Sequence, residues 1–495
     1  MTAVLTWRFL AEFARRPLNV ALLIVVPLVF VTVSAGTLAE FAELLGGRAG
    51  AARIQGATAA WAAAFLSGVV GYFHVAGTRG PDRRLAEAGS ATRAVVAARL
   101  GSALGLAAVA VVAALLALLL RADTTELGRA GVATAMAAAT YLGVGAVVGA
   151  LVRSELNGSL VIIFIWMIDV FFGPAMGGTD AAITRVFPTH FPTLVLIDPG
   201  SEHAAPLSTW TAALIWTGGG LAVALLSLLV TTRPTRLPRT APTAGRRLEA
   251  GLRAAWQEYR RNTALWVLLV GLPVLFITLS MAVTPDDPAP VELREAGETS
   301  LTVLSMVDVH GAVMVPITVA FLAGLAGLFV AIGSSEADRR LVVAGFRTRE
   351  VLGARLGIIA LAAVVVSAVA LGVTAAGFQP RSWSAFALGT VATALTYAMI
   401  GVVVGPLVGR LGGLYLMFLL PFLDVGLAQN VMFDAAPPAW AAWLPAHGAV
   451  RILIDGAFTP GFDELGGLAL ALLWLLLTTA AAAAVFARLT AARRM

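Results

Sequence analysis

Long apolar runs, separated by short polar segments, constrain this 495-residue chain more than any other feature. A helix of about 20 apolar residues crosses the roughly 30 Å hydrocarbon core of a bilayer, where every backbone polar group needs an internal partner. Hydrophobic residues make up 59% of the sequence and charged residues 13%, which is too apolar for a soluble domain. We therefore predict an all-α polytopic membrane protein. The twelve predicted spans are 18–38, 54–77, 94–120, 130–152, 159–176, 210–231, 263–283, 310–333, 351–377, 384–408, 414–430 and 465–487.

The second half of the sequence repeats the first, with an offset of 256 residues over its clearest stretch. Asp82-Arg83-Arg84-Leu85 returns as Asp338-Arg339-Arg340-Leu341, and Thr140-Tyr141 returns as Thr396-Tyr397. We predict a six-span unit over 1–232, a basic linker over 233–247 and a second six-span unit over 248–495. Six spans are an even number, so both units insert the same way up. They are then related by a pseudo-twofold axis along the membrane normal, with a pathway between them.

The arginines predict the orientation. All 34 basic residues are arginines, and 26 of them lie in the two termini and the loops on the same side of a twelve-span topology. By the positive-inside rule both termini and both repeated arginine segments are cytoplasmic. Arginine in place of lysine throughout favours a GC-rich bacterial genome, and hence the bacterial plasma membrane. Residues 232–262 carry the whole excess of the +6 net charge, so the charge gives no reason to expect a nucleic-acid partner.

Composition also argues against chemistry within this chain. It contains no lysine, and an ordinary P-loop needs one on the β- and γ-phosphates. It contains no cysteine, which excludes disulfides, thiolate metal sites and cysteine nucleophiles. No serine–histidine–acid arrangement is indicated by spacing. We therefore expect no catalytic residue, no metal and no cofactor in the chain itself.

The repeated arginine segments read as short helices. Pro81 and Asp82 favour a helix start and Gly89 a stop. In the second copy Ser335 is spaced for a capping box and Gly345 for the stop. Each segment is predicted to hold a helix of about two turns with its arginines on one side. An ordinary cytoplasmic loop needs arginines but no fixed pattern, so we favour a surface that a partner recognises.

An amphipathic N-terminal helix over 1–17, six spans, and a cytoplasmic helix between the second and third spans resemble type-2 ATP-binding-cassette (ABC) exporter permeases. The resemblance covers the whole chain as two fused permease units. It implies that the repeated segments are coupling helices, on which two copies of a separate cytoplasmic ATPase dock, with ATP and Mg bound by that partner. The second copy has Glu336 where the first has Gly80, so we expect the two docking sites to differ. The implied docking residues are Asp82, Arg83, Arg84, Leu85, Arg93, Asp338, Arg339, Arg340, Leu341 and Arg349.

Two acids lie in matching apolar stretches near the opposite side. A carboxylate within a span is costly unless it is paired or wet, so Asp169 and Asp424 are candidates for function. The alternative, which we favour slightly, places each at the outer end of its span, facing water or capping a re-entrant turn. In the resembled family this region forms short helices that dip back into the membrane as an outer gate. That resemblance assigns to the gate Asp169, Pro188, His190, Asp198, Asp424, Pro445, His447 and Asp455.

Large apolar side chains on several spans are candidates for lining a pathway between the halves, although packed or lipid-facing positions are as common for such residues. These candidates are Trp61, Phe65, Met136, Phe321 and Tyr397. The sequence thus leads us to expect the permease of an ATP-driven exporter of lipophilic or amphiphilic small molecules, in contact with membrane lipid. Two rivals are an ion-gradient-driven secondary transporter, which would use acids such as Asp169 and Asp424, and a membrane-embedded enzyme.

Overall fold

The structure is a computed structural model of the whole chain. It describes residues 2–44, 50–121, 126–152, 154–176, 182–232, 263–295, 297–343 and 348–491. The predicted linker, 233–247, lies outside these ranges. Within them the chain is almost entirely helical, which confirms the prediction of an all-α membrane protein apart from one small β-hairpin.

In the first part of the chain, the described residues form nine α-helices. They are α1 (Thr2–Ala14), α2 (Pro17–Leu44), α3 (Ala51–Ala76), α4 (Arg79–Glu87), α5 (Thr92–Arg121), α6 (Leu127–Leu151), α7 (Glu155–Phe171), α8 (His190–Ile197) and α9 (Thr209–Thr232). Two short 3₁₀ turns, Ala182–Val186 and Glu202–Ala204, flank α8. The end of the bundle where α1 and α4 lie is called the α1 face below.

In the second part, the described residues form six α-helices and the hairpin. The α-helices are α10 (Thr263–Val283), α11 (Met306–Val343), α12 (Thr348–Thr374), α13 (Trp383–Pro421), α14 (His447–Phe458) and α15 (Leu465–Ala491). A π-helical turn, Phe422–Ala428, continues α13, and a 3₁₀ turn spans Ala439–Trp443. The strands are β1 (Pro288–Glu295) and β2 (Glu298–Ser305). The end of the bundle where they lie is called the hairpin face.

The hairpin was not predicted from the sequence. Its strands are antiparallel, with Glu295 opposite Glu298 across a tight turn in which Gly297 has a φ of +84°. Ala289, Val291 and Leu293 alternate along β1 and are buried. That period-2 pattern is the usual mark of a half-buried strand. It is short and lies between two long apolar helices, so it is easily read as a polar connection.

In the part of the chain that the structure describes, nine helices are long and apolar enough to cross a membrane. Several present large apolar side chains outward: Leu476 on α15 is 69% exposed and Val267 on α10 is 62% exposed. Such surfaces would be unstable in water over this extent, because each costs free energy in proportion to its apolar area. The chain is therefore a membrane protein.

Small residues let the central helices approach each other closely. A Cβ at Gly145 on α6 would overlap the carbonyl oxygen of Gly68 on α3, and a Cβ at Gly401 on α13 would overlap that of Gly324 on α11. Both contacts join the same pair of predicted spans in each half. Small residues thus allow the close helix packing that is common in membrane proteins at both crossings.

The second arginine segment differs from its predicted form. A separate helix over this segment is wrong, because α11 runs without a break through to Val343. The Ser335 hydroxyl donates to the Ile332 carbonyl at 2.9 Å inside the helix instead of capping a new one. The first copy has Pro81, whose ring and missing N–H disfavour continuation of α3, whereas the matching residue of the second copy is Ala337. The chain therefore turns between α3 and α4 but stays helical along α11.

Candidate functional site

The first arginine segment is held down by a buried ion pair. Asp82 on α4 is 2% exposed, and Arg99 on α5 donates to its carboxylate from Nε at 3.0 Å and from Nη2 at 2.8 Å. The Arg99 guanidinium also lies over the ring of Phe9 on α1, with 3.6 Å between Cζ and the ring centroid. A two-point bond of this kind fixes orientation as well as distance. It fastens α4 to α5 and α1.

The second segment contains the same pair at the same spacing. Asp338 is also 2% exposed, and Arg355 donates to its Oδ1 from Nε at 2.8 Å. The Arg355 side chain is 22% exposed, against 9% for that of Arg99. Asp82 and Asp338 are predicted above as docking residues, but burial removes their carboxylates from the surface, so a direct docking contact is wrong for both. They position the segments.

The remaining docking candidates divide by their exposure. Arg83 donates from Nε to the Thr231 carbonyl at the end of α9, at 3.0 Å, which leaves its guanidinium engaged. Arg84 and Arg93 are exposed, and Leu85 is half-buried. Arg84 and Arg93 are therefore the basic side chains of this segment that a partner could contact. The remaining candidates have side chains outside the part that the structure describes: Arg339, Arg340, Leu341 and Arg349.

The carboxylate of Asp169 connects three elements near the hairpin face. It is 2% exposed at the end of α7. Its Oδ2 accepts a hydrogen bond from the Tyr141 hydroxyl of α6 at 2.8 Å and another from the Thr189 backbone N–H at 2.9 Å. Thr189 immediately precedes α8, where backbone N–H groups have no partner within the helix. The acid thus satisfies one of these groups and interacts favourably with the helix dipole.

Asp424 makes the same contacts in the second half. It is 4% exposed, and its Oδ2 accepts from the Tyr397 hydroxyl of α13 at 2.7 Å and from the Ala446 backbone N–H at 2.9 Å. Ala446 immediately precedes α14, as Thr189 precedes α8. Both acids therefore cap a short helix. This agrees with the capping alternative for Asp169 and Asp424, whereas water-facing acids at these positions are wrong.

The two tyrosines complete these clusters. Tyr397 is predicted above to line a pathway, but it is 1% exposed and its hydroxyl is committed to Asp424. Tyr141 was not among the predicted site residues. Its signal was in the sequence, because Tyr141 and Tyr397 match across the repeat as Asp169 and Asp424 do.

The other gate candidates surround the short helices, which form at the predicted positions. His190 and His447 are the first residues of α8 and α14, and a half-buried proline lies two residues before each, Pro188 and Pro445. The rings differ in their partners: His190 Nε2 lies 3.4 Å from His203 Nδ1, whereas His447 Nδ1 lies 2.9 Å from the side-chain oxygen of Gln429.

The electrostatics of α8 keep its histidine neutral near pH 7. Burial, together with the nearby charges of His203 and Arg185, lowers the pKa of His190 to about 4.

The last two gate candidates, Asp198 and Asp455, match in sequence but differ in their surroundings. Asp198 is exposed, whereas Asp455 is 4% exposed and accepts a hydrogen bond from the Thr459 hydroxyl at 2.9 Å. In the described residues no group of three His, Cys, Asp or Glu side chains is arranged to hold a metal ion.

Aromatic side chains from both halves meet in the middle of the bundle. The ring of Phe418 on α13 lies 4.1 Å from that of Phe65, 4.9 Å from that of Trp166 and 6.0 Å from that of Phe321, centroid to centroid. Trp166 also donates from its indole N–H to the Trp61 carbonyl at 2.8 Å. Phe65 and Phe321 therefore pack against Phe418 in this cluster, and Trp61 contacts Trp166 of its own half. That these side chains line a pathway stays a prediction.

A small cavity lies beside this aromatic cluster. Its volume is about 50 Å³, which is room for a few water molecules and far below the roughly 300–1,000 Å³ of sites for drug-sized ligands. Phe321 lines it, whereas Met136, 7% exposed on α6, does not. The aromatic lining comes from α2, α7, α10, α11 and the region of α13 and its π-helical continuation: Phe41, Trp166, Phe171, Phe172, Phe276, Phe321, Phe418, Phe422 and Phe433.

At the α1 face an ion pair joins the two halves. Arg410, which follows a break in α13 at Gly409, pairs with Glu155 at the start of α7. Gly409 has a φ of +79°, a left-handed conformation that favours glycine and ends one helical direction within the long helix. The seam is thus closed by aromatic packing at its centre and by an ion pair at this face.

Comparison with known proteins does not identify the chain. No protein-family model matches it, and it has no significant match among curated proteins. Its function has to be inferred from the contacts above.

Proposed function

We propose that this chain is the permease of an ATP-driven exporter of lipophilic or amphiphilic small molecules, with both membrane halves in one polypeptide. Two copies of a separate cytoplasmic ABC ATPase would dock on the segments around α4 and the end of α11. ATP and Mg would be bound by that partner, and this chain would supply the pathway.

The observation that carries the proposal is the matched pair of buried aspartate–arginine contacts. Asp82 with Arg99 and Asp338 with Arg355 fix two separate segments to the bundle through the same geometry. A loop that only anchors a helix end needs positive charge but no buried ion pair. A segment through which force is transmitted has to be held rigidly against the bundle, and the buried ion pairs hold these two segments in that way. The exposed Arg84 and Arg93 would then be available to the partner.

Twelve spans are supported by three features beyond the nine long apolar helices. The apolar stretch Trp383–Ala428 has 46 residues and a break at Gly409, and at 1.5 Å per residue it is long enough for two crossings. Val267–Val283 in α10 is apolar but shorter, and α7 has 17 residues, with the buried Asp169 in its last turn. Counting the long stretch twice and adding α7 and α10 gives twelve, six in each half.

The same topology implies orientation and location. With twelve spans both termini lie on one side, and the arginine-rich α1 face is the cytoplasmic one by the positive-inside rule. The hairpin face would be extracellular. We place the protein in the plasma membrane of a bacterium with a GC-rich genome.

The packing of the seam supports a cycle of opening and closing between the halves. The aromatic cluster around Phe418 and the Arg410–Glu155 pair hold the halves together, and the cavity beside Phe321 is too small for a drug-sized cargo. We infer that movement of the ATPase is transmitted through α4 and the end of α11. This movement would separate first one and then the other of these contacts between the halves. This is the logic of alternating access, in which repeats move against each other around a fixed site.

Charge reversal on the exposed arginines tests the docking surface. Arg84→Glu combined with Arg93→Glu is expected to reduce recovery of the ATPase with the purified chain at least about tenfold, since two attractive contacts become repulsive. Arg185→Glu, an exposed change at the hairpin face, is the matched control and should leave recovery unchanged. Equal recovery from the double variant and the control would contradict docking at this segment.

Two observations bear on the rival functions. A proton- or ion-driven carrier would use intramembrane acids, but Asp169 and Asp424 already accept hydrogen bonds from a tyrosine and a helix N-terminus. A membrane-embedded enzyme would need a cluster of acid, base or metal ligands, and in the described ranges no metal-binding group of three is present. We therefore keep the exporter as the proposal, with the ion-gradient-driven transporter as its alternative.

A further inference from the structure

A second, wider cavity lies at the hairpin face. It has a volume of about 580 Å³ and is bordered by the end of α2, the start of β1, Met306, Val431, Met432, Phe433 and Ala435. The charged side chains among its described lining residues are Glu40, Glu43 and Asp287, all three acidic and exposed. We call this space the acidic vestibule.

The acidic vestibule adjoins the aromatic cavity. Phe433 lines both spaces, and α2 contributes Leu38 and Phe41 to the aromatic cavity and Glu40 and Glu43 to the vestibule. A molecule leaving the aromatic cavity past Phe433 towards the hairpin face therefore meets carboxylates within about one helical turn. The two spaces are therefore adjacent at Phe433 and along α2.

The aromatic cavity has little to offer an anion. Among its described lining residues none is a lysine, an arginine or an acid, and the polar ones include Ser280, His310 and Asn430. Nδ1 of His310 is engaged with the Thr284 hydroxyl, and the ring packs edge-on against Phe41 with 5.6 Å between centroids. The side-chain N–H group of Asn430 donates to the Gly426 carbonyl at 3.1 Å.

The aromatic cavity and the acidic vestibule would both attract a cation. The faces of aromatic rings carry negative partial charge and attract a desolvated cation, most strongly for tryptophan. Trp166, Phe41 and Phe433 line the aromatic cavity, and the vestibule then presents three carboxylates, whose field raises the local concentration of cations. A lipophilic cation would thus be favoured both in the aromatic cavity and in the acidic vestibule.

We propose that the cargo of this chain is a lipophilic cation, bound beside Phe433, where the aromatic cavity meets the acidic vestibule, and released through the vestibule. This inference rests on the proposed export function, whose cargo class it makes specific. It does not depend on which ATPase supplies the energy.

The test uses two probe ions of nearly the same shape and opposite charge, tetraphenylphosphonium and tetraphenylborate. Binding of each to the purified full-length chain in detergent is measured by equilibrium dialysis, with displacement by excess unlabelled ion to separate specific binding from partition into micelles. We expect specific binding of the phosphonium at least about tenfold tighter than that of the borate, because the aromatic faces and the acids favour one charge.

Variants locate the binding. Phe433→Ala should weaken phosphonium binding about tenfold, since it removes an aromatic face shared by both spaces. Glu40→Gln, Glu43→Gln and Asp287→Asn together should weaken it about fivefold at low salt, with less effect at high salt, as for solvent-exposed charges. Glu298→Gln, an exposed acid at the hairpin turn outside the vestibule, is the matched control and should have no effect.

Equal or tighter specific binding of the borate, or no specific binding of the phosphonium, would overturn the proposal. So would phosphonium binding that is unchanged in both Phe433→Ala and the triple acid variant while these remain folded by thermal unfolding. Each measurement is made without an ATPase. Failure here would therefore change the cargo class and leave the export proposal standing, whereas failure to recover an ATPase would do the reverse.

Discussion

At the scale of single residues, two buried carboxylates do the most to organise the bundle near the hairpin face. Asp169 and Asp424 each bring together a span, a tyrosine from a second span and the first turn of a short helix. A buried acid is costly unless its oxygens are satisfied, and hydrogen bonds to an ionised group are stronger than ordinary ones. The tyrosine and the short helix thus each rely on the acid for a hydrogen bond, and the acid relies on both of them.

Replacing the acid tests this role. Asp169→Ala removes the acceptor for the Tyr141 hydroxyl and the Thr189 N–H, so we expect a loss of about 2–4 kcal/mol in stability. Asp169→Asn keeps one acceptor oxygen and should lose less. Thermal unfolding of the purified chain in detergent gives the order of the three proteins, which should be wild type, Asn, then Ala.

Transport by the same variants separates the rival functions. Under the export proposal Asp169→Asn with Asp424→Asn retains ATP-dependent transport, although with reduced stability. Two results together would favour an ion-gradient-driven secondary transporter instead. The double Asn variant would lose transport while remaining folded, and wild-type transport would follow an ion gradient without ATP.

At the scale of elements, close glycine crossings set how α3 packs on α6 and α11 on α13. Gly145 faces the Gly68 backbone and Gly401 faces the Gly324 backbone, where even a methyl group would overlap the carbonyl oxygen. Backbone atoms cannot rotate away as a side chain can, so the helices must separate to accept a larger residue. These crossings position Tyr141 and Tyr397, which lie on the same two helices as the glycines.

Gly145→Ala should therefore be destabilising, by about 1–3 kcal/mol as for other overpacked sites. Gly218→Ala on α9 is the control, because a Cβ there meets nothing within 4 Å. It should be neutral or slightly stabilising, since alanine is the better helix former. Similar unfolding temperatures for the two variants would contradict the close crossing.

The sequence allowed prediction of the helices but not of how neighbouring polar residues pair. Apolar runs place the spans because their length is fixed by the bilayer, and the repeat marked Asp82, Arg99 and their counterparts as a set. Nothing in the pattern indicated that the aspartate faces inward to the arginine 17 residues later. Pairing depends on how α4 lies across α5, which is tertiary information. The continuity of α11 could have been predicted, by comparing Ala337 with Pro81.

At the scale of the whole molecule, the two halves are held together at several levels of the seam. Trp166 and Phe65 from the first half pack against Phe418 from the second, and Glu155 pairs with Arg410 at the α1 face. The sequence identified large apolar residues that could lie at the seam, but it did not indicate which of them pack against each other. Whether Trp61 or Phe65 faces a pathway, a neighbour or lipid depends on how the halves meet, which one sequence does not specify.

Movement of the halves can be tested by tying them together. The chain has no cysteine, so Glu155→Cys with Arg410→Cys provides a single pair for a short bifunctional thiol reagent. Cross-linking should stop ATP-dependent transport, whereas each single variant treated with the same reagent should retain it. Full transport by the cross-linked double variant would mean that this end of the seam need not open.

The central claim is that this chain works with a separate ATPase, and the most direct measurement is its gentle affinity purification from native membranes followed by quantitative mass spectrometry. The account predicts recovery of a P-loop ATPase at two copies per chain. Recovery of the chain alone, in a detergent that preserves such complexes, would contradict it.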